Sequence, residues 1–123
     1  GYINVTKIKK NDLVLTQNNK TVPVKNVFTS RLTTEMEKPY LIRADQYGEE
    51  KPILDTYISR KHQYKLNGKW TTPEKERLPQ KWNDNILVYY HIETPKYMED
   101  NLIVNGIEME SWDGVIPLDI RKK

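Results

Sequence analysis

Apolar and polar positions alternate from the first residues. YINVTKI (2–8) places Ile3 and Val5 on one side and predicts a strand. LVLT (13–16) is a short apolar run, and Asn18-Asn19 behind it predicts a tight turn, because Asn tolerates positive φ. VPVKNVF (22–28) alternates through Val22 and Val24, then slips phase after Asn26, which predicts a bulge or bend. PYLIRA (39–44) and ILDTYIS (53–59) predict strands flanking the polar loop DQYGEEK.

LDTYISRKHQYKLNGKW (54–70) has the alternation of a hairpin with a turn at Asn67-Gly68. Ser59-Arg60-Lys61-His62 falls at a bend inside it. One short helix is expected at 71–78: Thr71 or Thr72 caps, Pro73 fits the first turn, Glu74 and Glu76 suit the positive dipole end, and Pro79 stops it. NILVYYHIET (85–94) is the most apolar strand. DNLIVNGIEMES (100–111) reads as two strand segments joined at Asn105-Gly106, and Asp113-Gly114 is a further turn. Residues 115–120 read as an edge strand able to join a neighbour. Short strands, frequent turn signals and almost no helix predict an all-β fold in one domain over 1–123. No internal repeat or low-complexity stretch interrupts it.

Composition narrows function more than fold. Hydrophobic residues make up 37% of the chain and mean hydropathy is −0.81, so the apolar residues must be buried economically. No apolar run approaches the ~18 residues of a membrane span, and the start shows no signal-peptide core. No membrane partner is expected. Cysteine is absent, which excludes disulfides, thiolate metal sites and cysteine nucleophiles within these residues. These features favour a cytoplasmic or virion-associated location. The net charge is +3, but acidic residues are interspersed among most of the basic groups. A nucleic-acid groove shows a more one-sided bias, so nucleic acid is not the expected partner.

Three places could carry chemistry. Ser59 and His62 stand three residues apart at a bend, where an imidazole can engage a backbone amide and a hydroxyl can fix a neighbouring carbonyl. Imidazole is the natural proton donor to an amide nitrogen near neutral pH. His91, in VYYHIET, alternates with Tyr90 and Ile92; its ordinary role is a half-buried histidine bonded to backbone. Asp100 precedes the apolar run LIV, where an Asx turn is its ordinary role. Two histidines and scattered carboxylates show no metal-ligand spacing, so no metal is expected. No phosphate loop or Gly-x-Ser-x-Gly motif points to a cofactor or a hydrolase.

Four stretches, in order, carry a resemblance. VTKIKKNDLVLT (5–16) resembles a segment ending in Gly-Asp-x-Val, with Asn11-Asp12-Leu13-Val14 in that place. TVPVKNVFTS (21–30) resembles the strand that follows. YISRKHQYKLNGKWTTPEKERL (57–78) resembles a block with a histidine, a small-residue turn, a Trp and a short helical step. VYYHIETPKYMEDNLIVNGIEMES (88–111) resembles a C-terminal block with Tyr-Tyr-His, a hairpin near Asn-Gly and then Glu-Ser. Together they are similar to the Hint family, the fold of hedgehog autoprocessing domains and inteins, and to its bacterial and viral Hint-like branch.

That resemblance implies a compact Hint-like fold and self-cleavage by acyl shift. A nucleophile at the domain's first position attacks the preceding carbonyl, and the block histidine protonates or strains the scissile amide. Ser59 and His62 then occupy the place of the family's Thr-x-x-His pair, with Asp100 and His91 as secondary catalytic candidates.

The departures are specific. Gly1 is not a nucleophile, and only ten residues precede Asn11. The reading therefore expects a first strand and its nucleophile to be missing. Glu110-Ser111 replaces the family's final His-Asn, which removes asparagine cyclisation, and 112–123 reads as a C-terminal extension. Asp100 stands where a histidine is common; a carboxylate there needs a strongly raised pKa to donate a proton. These residues are expected to be inactive alone and at most single-turnover within a longer parent chain, whose flanking segments are the first partners. The alternative is a non-catalytic structural module derived from a Hint domain, such as a virion or capsid component of a large DNA virus, with other structural proteins as partners.

Overall fold

A computed structural model describes residues 2–32, 38–82 and 87–112. The expected turn at Asp113-Gly114, the edge strand 115–120 and nearly all of the 112–123 extension lie outside the described residues. The fold is all-β, built of short antiparallel strands in small sheets. β1 (Leu13–Leu15) pairs with β2 (Thr21–Pro23), and β3 (Asn26–Leu32) with β8 (Leu87–Glu93). β4 (Tyr40–Ile42) pairs with β5 (Thr56–Ile58). A four-stranded sheet runs β7 (Lys69–Thr71), β6 (Tyr64–Leu66), β10 (Ile107–Met109), β9 (Leu102–Val104).

Local turn chemistry explains the connections. Asn67-Gly68 and Asn105-Gly106 both have positive φ, as a two-residue hairpin turn requires, and they close β6–β7 and β9–β10. Asn18 and Asn19 are also both at positive φ, at 64° and 58°. The phase slip after β2 is a hand-over between sheets. The Val24 N–H donates to the Asp12 carbonyl at 2.8 Å and prolongs the β1–β2 ladder, while the Lys25 N–H donates to the Glu93 carbonyl at 2.8 Å and starts the next. At Gly106, φ is +89° and an added Cβ would lie 2.8 Å from the Glu50 carbonyl oxygen, so this hairpin tip lies hard against the 45–54 loop.

Three expectations are corrected. Residues 2–8 form no strand; Val5–Lys7 is a 3₁₀ turn. Asn4 Oδ1 accepts from the Thr6 N–H at 3.0 Å and from the Thr6 hydroxyl at 2.9 Å, a local bond that competes with extended backbone. The helix at 71–78 is a single turn. Thr72 caps it through Lys75 N–H at 3.2 Å, but Arg77 sits at φ 54°, outside the right-handed helical region. The hairpin in 54–70 is confined to β6–β7; β5 turns away to pair with β4.

The main core joins the small sheets. Ile42, Ile58, Tyr64, Leu78, Ile107 and Met109 form one buried cluster. Each fully buried side chain of this size contributes about 1.5–3 kcal/mol. Met109, 1% exposed and paired with Tyr64, anchors the end of β10 and so fixes the start of the segment that follows it.

Candidate functional site

The segment after β10 supplies one wall of a cleft of about 290 Å³. Glu110 continues the β6–β10 pairing, its N–H donating to the Gln63 carbonyl at 3.0 Å. Two residues on, the Trp112 N–H donates to the Ile92 carbonyl at 2.6 Å, so the chain crosses from the four-stranded sheet to β8. The cleft lies at that crossing. Ser59, Lys61 and His62 line it from the bend after β5, His91 from β8, Tyr97 from the following turn, and Glu110, Ser111 and Trp112 from the crossing segment.

The bend brings Ser59 and His62 together through backbone alone. The His62 N–H donates to the Ser59 carbonyl at 3.1 Å, and no side-chain hydrogen bond joins the pair among the described residues. The His62 residue is half-buried, yet its Nε2 is shut away from solvent and has no hydrogen-bond partner. Its other nitrogen, Nδ1, is left to make the bond to the Glu110 backbone. Burial lowers the His62 pKa below the ordinary 6.5; the Glu110 carboxylate pulls it up, the His91 ring pushes it down, and the Glu110 backbone bond pulls it up. The net shift is downward, so the imidazole is neutral at pH 7. Nε2 then carries a lone pair and is an acceptor rather than the proton donor expected from sequence.

Glu110 is held as a carboxylate should be. It accepts from Gln63 N–H at 3.1 Å, Gln63 Nε2 at 3.3 Å and the Tyr97 hydroxyl at 2.8 Å. The Ser111 and Thr94 hydroxyls lie 2.9 Å apart, and Thr94 donates its single proton to the Asp100 carbonyl at 2.9 Å. The hydrogen between the two hydroxyls therefore comes from Ser111.

His91 is set by register. In β3–β8 it faces Phe28 directly and Ser30 diagonally, because Phe28 pairs with His91 and Ser30 with Tyr89. The Phe28 and His91 ring centroids are 5.6 Å apart, Trp112 stacks on Phe28 at 5.4 Å, and Trp112 lies 6.1 Å from His91. Ser30 Oγ is 3.0 Å from His91 Nε2.

Of the residues singled out from sequence, Ser59, His62 and His91 meet at one cleft. Asp100 does not line it. Asp100 is 1% exposed, with Oδ1 3.0 Å from Lys20 Nζ and Oδ2 accepting the Lys96 N–H at 3.0 Å, so it braces the 95–100 turn. Among the described residues no three His, Asp or Glu side chains are grouped to hold a metal ion. Sequence reasoning missed Ser30 and the cleft roles of Tyr97 and Trp112. For Ser30 a signal existed: it is a polar residue two positions from Phe28, on the same strand face.

Neither models of known protein families nor curated proteins give a match to this chain.

Proposed function

We propose that the chain is a Hint-like autoprocessing domain whose cleft activates one peptide bond for a single-turnover acyl shift. The observation that supports this reading is the meeting of both histidines, far apart in sequence, with Ser59 on one cleft, where the His62 Nε2 is buried and unpartnered. A buried polar atom without a partner costs stability and calls for an explanation, and a catalytic base is one.

The chemistry follows from the neutral ring. A hydroxyl or thiol one residue after the scissile carbonyl attacks its carbon and gives its proton to His62 Nε2. The carbon–nitrogen bond then breaks, the amide nitrogen takes that proton from the imidazolium, and an ester or thioester remains. In this reading the nucleophile comes from a segment that precedes these 123 residues in the parent chain, and cleavage follows when water or an added thiol attacks the ester.

A second reading, a non-catalytic structural module that binds other structural proteins, is favoured by the commitment of the neighbouring polar groups. Ser111 is tied to Thr94, and Glu110 to Gln63 and Tyr97. Intact mass separates the two. The full-length parent protein is expressed with and without added thiol, beside His62→Ala. Cleavage at the start of this domain that disappears in His62→Ala is the result expected for autoprocessing. One uncleaved mass in every sample overturns it and leaves the module.

A further inference from the structure

We propose that Asn67 is a self-modification site of the folded protein: its own backbone and water convert it to isoaspartate and aspartate, while the second Asn-Gly pair, Asn105-Gly106, is held unreactive. Asn-Gly occurs twice in the chain, each time as the tip of a two-residue hairpin. The backbone is alike at both tips: Asn67 and Gly68 have φ of 52° and 78°, Asn105 and Gly106 of 50° and 89°. The surroundings differ. Asn67 is exposed, its side chain has no hydrogen bond among the described residues, and a Cβ added at Gly68 would meet nothing within 4 Å. Asn105 is half-buried. Its Nδ2 donates to Thr56 Oγ1 at 2.9 Å, its carbonyl accepts from the Ile53 N–H at 2.9 Å, and a Cβ added at Gly106 would lie 2.8 Å from the Glu50 carbonyl oxygen.

The reaction needs hydroxide, water and freedom to move. Gly68 gives up its amide proton to hydroxide, and its nitrogen attacks Asn67 Cγ. The Cγ–Nδ2 bond breaks, and Nδ2 leaves as ammonia with a proton from water, closing a five-membered imide. Water then adds to one imide carbonyl. Opening at Cγ gives aspartate; opening at the main-chain carbonyl gives isoaspartate. Glycine favours the attack because it has no Cβ to block the approach. Ring closure rotates the Asn Cα–C bond out of the left-handed turn, so each tip must open locally before it reacts. At Asn67 that opening displaces exposed groups and leaves the Lys65–Trp70 and Tyr64–Thr71 pairs of the hairpin intact. At Asn105 the same rotation breaks the bonds to Thr56 and Ile53, in a tip that lies hard against the 45–54 loop. The site is independent of the autoprocessing reading.

Peptide mapping by mass spectrometry tests it on the 123-residue chain. The folded chain is incubated in mildly alkaline buffer and sampled over time, beside the same chain unfolded in urea. The peptide containing Asn67 should gain the mass of an amide NH₂ replaced by OH and resolve into isoaspartate and aspartate forms. The peptide containing Asn105 should change at least about tenfold more slowly, because two hydrogen bonds must break first. In urea that difference should vanish, since the protection comes from the fold and both tips share the Asn-Gly sequence. Equal rates in the folded chain, or faster reaction at Asn105, overturns the proposal. So does a preference for Asn67 that persists in urea, or an Asn67 that reacts in urea and stays intact in the folded chain.

Discussion

Two buried polar clusters lie close together in this fold and are built differently. At Asp100 each polar group has its partner: the carboxylate meets Lys20 and the Lys96 N–H, the carbonyl accepts from Thr94, and the backbone N–H donates to the Lys96 carbonyl. At the cleft, His62 keeps one nitrogen bare. Both clusters contain titratable groups, and the sequence presents both as candidate sites. The difference teaches that a satisfied buried network is explained as scaffold, whereas an unsatisfied group among other ionisable side chains is a candidate site. Lack of a partner is not sufficient by itself. Asn101 Oδ1 is also buried and unpartnered, but Asn101 is not part of the cleft wall.

The comparison breaks first at Asp100. If it is scaffold, Asp100→Ala strands the Lys96 N–H and leaves Lys20 without its carboxylate. Loss of a buried charged acceptor costs about 2–3 kcal/mol, below the ~3–5 kcal/mol of a fully buried pair because Lys20 is largely exposed. Urea unfolding measures it. A loss below about 1 kcal/mol, or a change in the His62 imidazole signals, means that the two clusters are not separate.

Thr94→Val is next. It keeps the shape and deletes the hydroxyl that bridges the Asp100 carbonyl and Ser111, at a cost of about 1–2 kcal/mol in the same assay. Lys20→Ala should cost less than about 1 kcal/mol, since the Lys20 side chain is 60% exposed and gives up little on release to water. An effect as large as that of Asp100→Ala would place the energy of this pair at its exposed end, contrary to the scaffold reading.

How much of this was legible in the sequence depends on the range of the interactions. The turns at Asn18-Asn19, Asn67-Gly68 and Asn105-Gly106 were legible because one or two residues decide φ there. β8 was legible from its own composition. The strand expected at 2–8 was not, since Asn4 engages Thr6 locally and, among the described residues, no strand pairs with that backbone. β5 looked like the first arm of a hairpin because alternation predicts a strand but not its partner. The cleft was half legible. Ser59, His62 and His91 could be named from residue type. The roles of Ser30 and Trp112 come from the β3–β8 register and from the crossing of the chain after β10, and that of Asp100 from Lys20, eighty residues away in sequence.

The smallest effect is the most discriminating. His62→Phe fills the same space with a ring that has no nitrogen to desolvate, and it loses only the bond to the Glu110 backbone. At about pH 7.5 its stability should lie within about 1 kcal/mol of the parent. A scaffold histidine would cost more. The difference should appear on acidification. Unfolded, His62 titrates near 6.5; folded, burial and the neighbouring His91 hold it lower, against the pull of Glu110. Between those two values the unfolded chain binds more protons, so the parent loses stability as pH falls below 6.5, and this loss ends beneath the folded value. His62→Phe has no such group and should show a shallower acid slope across that window. Equal slopes would mean that His62 is not held neutral in the fold, and a cationic Nε2 could not take the proton of a nucleophile.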